Sequence, residues 1–143
     1  MKRFSTLEDL DESNKYKCTT CKKEQKCSKT SIVFGFPPIL IIHLKRFEVK
    51  GYISKSKKTT SIKIEGQINF EFKNGEYIRN AKYSLFGVIN HSGSISFGHY
   101  TADCLGIEDK KWYNISDTHV SLSSNPGEHY SSECYILFYK KIN

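Results

Sequence analysis

A fold of the α+β class built mainly from antiparallel β-structure is what the sequence predicts, and three observations carry that expectation. β-branched and aromatic residues recur in short runs bounded by Gly, Pro, Asn and Ser. Helical periodicity is present only between residues 5 and 14, and weakly. With 38% apolar and 13% aromatic residues among 143, the chain can bury a core, which sets aside a disordered tail.

Taken in order, Pro37-Pro38 punctuates the chain, and residues 39–47 that follow are aliphatic and β-branched, as in a buried strand. Residues 59–70 alternate Thr60, Ile62 and Ile64 with polar partners and break at Gly66, which suits a β-hairpin or a bent strand. Residues 83–89 form an apolar strand that runs into the turn sequence His91-Ser92-Gly93-Ser94, with residues 98–107 returning. Residues 111–115, 118–122 and 134–139 supply three more short strands. No internal repeat or low-complexity tract interrupts the pattern.

The net charge is +7, and its distribution matters more than its size. Residues 15–63 hold 13 Lys/Arg against Glu24 and Glu48, a local balance of +11, and the rest of the chain is net −4. A polarised surface with a solvated, mobile loop around Lys55-Ser56-Lys57-Lys58 accounts for this. A nucleic-acid groove is the rival reading. Tyr16 is the only aromatic residue between 15 and 31, which argues against base stacking, so no nucleic-acid partner is expected. The aliphatic run Ile39-Leu40-Ile41-Ile42 stops at His43, short of the ~20 residues of a membrane span. Glu8, Asp9, Asp11 and Glu12 stand where the apolar region of a signal peptide would lie.

Five Cys, an odd number, without a secretory signal point to a reducing intracellular compartment, cytoplasmic or nuclear. Cys18-Thr19-Thr20-Cys21 has the spacing of a zinc knuckle, in which a tight turn aims two thiolates at one ion. That is half a site. Cys27 is open to two readings, a third ligand or a structural residue, while Cys104 and Cys134 lie in strand patterns and read as buried apolar residues. A redox role for the pair would need a βαβ context that the pattern lacks.

The chemistry concentrates in residues 83–120. Gly98-His99-Tyr100-Thr101-Ala102 sets a His at the mouth of a strand directly after a Gly-bearing loop, which fixes the ring while leaving room for another backbone. His43, His91, His119 and His129 read as ordinary packed or surface residues. Downstream of Trp112, the polar pair Ser116 and Asp117 could orient an imidazolium.

Together these segments resemble the ubiquitin-specific protease family of cysteine deubiquitinases. Tyr16-x-Cys18-x-x-Cys21 with Lys22, Lys23, Cys27 and Lys29 is similar to its second zinc pair. Residues 36–47, ending Leu44-Lys45-Arg46-Phe47, residues 83–93, the His box at 98–102, Trp112 to Val120 and the closing Tyr135-Ile136-Leu137-Phe138-Tyr139 complete the likeness. The resemblance implies a papain-like cysteine peptidase fold, with a zinc-knuckle finger segment at about 15–35 and mostly palm over 36–143, broken by a variable basic insertion near 48–60. It makes His99 the base and Ser116 the third triad residue, with Asp117 matching the acidic residue that follows; an uncharged Ser116 can accept the Nδ1–H of His99, and Asp117, the only carboxylate beside it, is expected to supply the negative field. Gly93, Gly98 and Tyr100 would line the channel for the ubiquitin tail beside a mobile loop at 92–97, and Cys18 and Cys21 would hold structural zinc. Ser at the third position is similar to a minority subgroup that includes a histone-directed deubiquitinase.

One departure is an absence. The family's nucleophile lies in an Asn-x-Gly-x-x-Cys box before a helical thumb, and nothing of that kind precedes Tyr16. The expectation is therefore the C-terminal part of a catalytic domain, without thumb or nucleophile and inactive alone. The implied activity is hydrolysis after the C-terminal Gly of ubiquitin, with ubiquitin and ubiquitinated proteins as partners. A non-catalytic ubiquitin-binding module or pseudo-protease is the alternative.

Overall fold

A computed structural model describes residues 6–12, 14–33, 35–50, 54–74 and 77–142. The described residues form strands and turns, with no helix among them. The chain divides into two compact units, Met1–Gly35 and Phe36–Asn143.

In the first unit, β1 (Glu8–Asp9) pairs antiparallel with β4 (Ser28–Lys29), and β2 (Tyr16–Lys17) with β3 (Glu24–Gln25). The helical pattern expected at 5–14 is thus a strand and a turn over its described residues; residues 5 and 13 lie outside them. The Leu10 N–H goes to the carbonyl of Cys27 (2.9 Å) instead of to a local acceptor. A helix that short gains too few bonds to offset its nucleation cost.

The second unit contains β5 (Ile39–His43), β6 (Phe47–Lys50), β7 (Ser54–Lys57), β8 (Ile62–Lys63), β9 (Gln67–Asn74), β10 (Tyr77–Gly93), β11 (Gly98–Leu105), β12 (Trp112–Ser116), β13 (His119–Ser123), β14 (Tyr130–Ser131) and β15 (Cys134–Lys141). The main sheet is antiparallel, in the order β13-β12-β11-β10-β15-β5. Strand β10 organises it. Tyr83 and Ser84 pair with β9 and β15 at once, so those two lie on opposite edges of β10, and β9 and β11 follow one another along the same edge.

Three expectations need correction. Residues 39–47 are not one buried strand: β5 ends at His43, Ile39 and Ile41 are 42% and 58% exposed, and the chain bends through Leu44 and Lys45 before β6. The bend carries Arg46 inward. Residues 59–70 do not pair with each other; β8 pairs with β14 and β9 with β10, and Gly66 separates them. The segment around Lys55 to Lys58 is no free loop, since β7 pairs with β6 and the Lys57 ammonium donates to the carbonyls of His91 (2.6 Å) and Gly93 (3.0 Å).

The core lies on one face of the sheet, built from Ala81, Tyr83, Leu85 and Val88 of β10, Trp112 of β12 and Leu137 and Tyr139 of β15, with Ile64 and Cys134. On β10 the buried positions step by two until Leu85 and then by three to Val88, because a bulge between Leu85 and Gly87 shifts the register against β15. Buried tyrosines need a partner for their hydroxyls. Tyr83 donates to the carbonyl of Pro37 and Tyr139 to that of Glu65, both at 2.7 Å, and burial pushes the Tyr139 phenol up to about 12.

Arg46 is 4% exposed and has no carboxylate partner among the described residues. Its guanidinium donates to four carbonyls: Cys134 through Nε (2.6 Å), Lys58 and Thr60 through Nη1 (both 2.9 Å), and Ser131 through Nη2 (3.3 Å). One side chain thereby ties the start of β15 to the end of β14 and to the segment following β7.

Candidate active site

The ladder between β10 and β11 pairs Ser92 with His99, His91 with Tyr100 and Val88 with Asp103. Residues directly opposite share a face, so Ser92, His99 and Asp103 lie on the core face, where the apolar surface around Val88 and Trp112 gives way to polar side chains. Strand β12 continues this face with Asn114, which pairs with Asp103, and with Ser116 two residues on.

His99 and Ser116 meet there, with Nε2 2.8 Å from the Ser116 hydroxyl oxygen. The ring nitrogen used is Nε2, not the Nδ1 expected from the sequence, so Nδ1 stands outside this contact. Asp117 is not part of this contact. It opens the two-residue turn between β12 and β13 with φ of 51°, and it is exposed. Asp tolerates this left-handed conformation better than most residues, which gives it a backbone role beside Ser116.

Behind the pair is a buried carboxylate that the sequence reading did not single out. Asp103 Oδ2 accepts from the Asn90 amide (2.7 Å), and Oδ1 accepts from the Asn114 amide (3.0 Å) and the Ser123 hydroxyl (3.2 Å). Four adjacent strands are held by one side chain. The signal was present in the sequence as an Asp in an apolar strand with Asn in both flanking strands.

The turn from β10 to β11 is tightly built, against the expectation of a mobile loop. Ser94 N–H donates to the Phe97 carbonyl (2.7 Å), and the Ser94 hydroxyl accepts from the N–H groups of Ser96 and Phe97 (both 3.2 Å). Gly93 has φ of 91°, and a Cβ there would lie 2.5 Å from the Phe97 carbonyl oxygen. At Gly98 a Cβ would lie 2.1 Å from His91 Nε2 and 2.5 Å from the Ser92 carbonyl oxygen. Tyr100 is half exposed at 52%, its ring 4.6 Å from that of His91.

In the first unit, Cys18 and Cys21 occupy the turn closing β2 and β3. Cys18 N–H donates to the Lys23 carbonyl (3.0 Å) and Lys22 N–H to the Cys18 carbonyl (2.9 Å), with Lys22 at φ of 60°. Backbone N–H groups of Cys21 and Thr20, followed by the Cys21 thiol, hold the Cys18 thiol below its ordinary value. A sulfur surrounded by N–H donors favours the thiolate that a metal needs, so the knuckle fits one half of a zinc site. Cys27 joins no group of three metal-binding side chains among the described residues.

The other thiols are of a different kind. Cys134 is fully buried, and desolvation pushes it up to about 11, so it stays protonated until the pH nears that value. Burial also raises Cys104. Mass-spectrometric mapping of iodoacetamide labelling at pH 8 is expected to find Cys18 and Cys21 modified first and Cys134 only after denaturation.

These observations define a histidine-centred site on an antiparallel sheet. The family model for ubiquitin carboxyl-terminal hydrolases matches residues 4–139. The chain belongs to that family. It is 33% identical over 99% of its length to ubiquitin carboxyl-terminal hydrolase 10 of Arabidopsis thaliana, and 36% identical over 96% to ubiquitin carboxyl-terminal hydrolase 4 of Pongo abelii. It spans 15% and 14% of those relatives' lengths. The solved SAGA Ubp8/Sgf11/Sus1/Sgf73 DUB module bound to ubiquitin aldehyde is similar over 99% of this chain and 32% of that one, at 27% identity and a TM-score of 0.76. The same module bound to monoubiquitin gives a TM-score of 0.77 at 27% identity, over 99% of this chain and 31% of that one. The described residues contain no helix long and apolar enough to cross a membrane.

Proposed function

We propose that this chain carries the base-bearing part of a deubiquitinase, which hydrolyses the isopeptide or peptide bond after the C-terminal Gly of ubiquitin with a nucleophilic Cys outside these 143 residues. The contact between His99 Nε2 and the Ser116 hydroxyl, at 2.8 Å on adjacent strands, is the observation that carries the reading. Family membership supplies the reaction class, and the ubiquitin-bound neighbour supports ubiquitin as the partner.

In this mechanism the neutral ring takes the proton of the Cys thiol at Nδ1, the thiolate attacks the scissile carbonyl, and the same nitrogen returns the proton to the leaving amine. Water then hydrolyses the thioester, with His99 again as base. Ser116 fixes the ring orientation by accepting from Nε2–H. Gly93, Gly98 and Tyr100 border the path of the ubiquitin tail, with Gly93 and Gly98 letting the ends of β10 and β11 close tightly beside it. Cys18 and Cys21 hold one half of a structural zinc; the ion would pin the finger segment and supplies no step of the reaction. On this reading the domain is papain-like and its thumb lies elsewhere in the sequence.

A ubiquitin C-terminal electrophile is the direct test. It is expected to leave Cys18, Cys21, Cys27, Cys104 and Cys134 unlabelled in this chain alone, and to label a Cys of the matching N-terminal part when the two are combined. Labelling of any of those five in the isolated chain overturns the assignment of the nucleophile.

A further inference from the structure

His91 is buried yet lacks the partner that a buried imidazole ordinarily has. It is 4% exposed, and its Nδ1 is the buried side-chain nitrogen without a hydrogen-bond partner among the described residues. Aromatic rings enclose it: Phe47 at 5.2 Å, Tyr100 at 4.6 Å and Tyr135 at 6.5 Å between centroids. On the ladder it is paired with Tyr100 while its neighbour Ser92 is paired with His99, so the two histidines occupy opposite faces of the sheet one register apart. The His91 ring covers Gly98, where it fills the space that a side chain would take. Its backbone is pinned as well, by N–H donation to the Glu133 carbonyl (2.9 Å) and by the Lys57 ammonium on its own carbonyl.

We propose that His91 is a positioning residue for His99, whose uncharged ring packed over Gly98 sets the start of β11, and whose protonation displaces that start and separates His99 from Ser116. The proposal rests on the deubiquitinase reading for its consequence in catalysis, although its structural part does not. An imidazolium has two N–H donors to satisfy, and the cage offers Nδ1 no acceptor. The charged and titratable groups facing the ring favour the neutral form. Lys57 of β7 repels a second cation and Glu133 ahead of β15 opposes that weakly; Tyr100 and Tyr135 border the ring, His43 of β5 stacks edge-on against Tyr135, and Glu48 of β6 is already paired with Lys58. Burial first, and then Lys57, lowers the His91 pKa, so its proton uptake lies on the acid side of an ordinary histidine.

Ring resonances of the histidines in this chain, followed by NMR from pH 8 to pH 4, test the structural part without any need for turnover. His91 is expected to hold its neutral shifts to a lower pH than an ordinary histidine. When it does take up a proton, the His99 ring signals and the amide exchange of β11 should change together with it. His91→Phe keeps a ring over Gly98 without a titrating nitrogen and should abolish that shared transition; His91→Gln serves if the larger ring does not fit. Titration of His91 at an ordinary histidine pH with no response at His99, or persistence of the transition in both variants, overturns the proposal. In the full-length enzyme, kcat/KM of the wild type should fall about 10- to 100-fold further than that of the variant across the pH range in which His91 takes up its proton, the loss expected for separating His99 from Ser116. Absence of hydrolase activity would refute the functional reading and leave the NMR result standing.

Discussion

Replacing His99 by Ala in the full-length enzyme is expected to lower kcat/KM by roughly 10²–10⁴-fold, the span of a positioned general acid–base group. The same ring serves in acylation and in thioester hydrolysis, so both steps should slow, and single-turnover kinetics would show the loss in each. Ser116→Ala should cost less. It removes one hydrogen bond to a ring that becomes charged, about 1.5–3 kcal/mol or roughly 10- to 100-fold. The sequence alone favours Asp117 over Ser116 as the stronger support for the imidazolium. The geometry reverses that order, because Ser116 touches the ring and Asp117 occupies an exposed turn. Asp117→Ala should therefore act mainly on the stability of the turn between β12 and β13, with little change in kcat. A larger loss of kcat in Asp117→Ala than in Ser116→Ala would return the role to the carboxylate.

The second large effect concerns folding. Arg46→Met removes a guanidinium that donates to four carbonyls, that of Cys134 in a buried contact and those of Lys58, Thr60 and Ser131 in partly buried ones. Each unsatisfied buried acceptor costs about 1–3 kcal/mol, and with partial relaxation the variant should lose roughly 3–5 kcal/mol, a large share of a typical domain's stability. Arg46→Lys keeps the charge but offers a single point of donation where the fork reached four acceptors, so it should recover less than half of the loss. Urea midpoints for the three proteins measure both effects, and a Met variant as stable as the wild type would show that the carbonyls find other donors. No carboxylate among the described residues bonds to Arg46, so the difference should persist at high salt.

Much of this was legible in the sequence. Between residues 98 and 123 the strands fall within two residues of their expected bounds, because alternation and turn residues agree there, whereas β10 runs from Tyr77 to Gly93 through most of the turn expected at 91–94. The family resemblance singles out His99 and Ser116 together, and their meeting follows from the hairpin between them. What escaped depended on pairing at a distance. Nothing local to Arg46 shows that its acceptors come from residues 58, 60, 131 and 134. Nothing local to Lys57 shows that its ammonium reaches the end of β10, so a basic stretch was read as solvated. His91 escaped for a different reason: a single histidine in a turn sequence has an ordinary look, and its burial comes from Phe47 and Tyr135, distant in sequence from it and from each other.

Strand β15 is the last of the strands in chain order, yet it lies between β10 and β5. Its partners on β5, such as Ile42 opposite Leu137, are roughly a hundred residues earlier in the chain. During synthesis β5 emerges well before β15 and waits with an edge open, and the sheet closes only when β15 slides into the gap. The order of assembly is thus set by the slowest arrival, and a nascent chain stalled before Cys134 would present two unpaired edges to whatever else is in the cell.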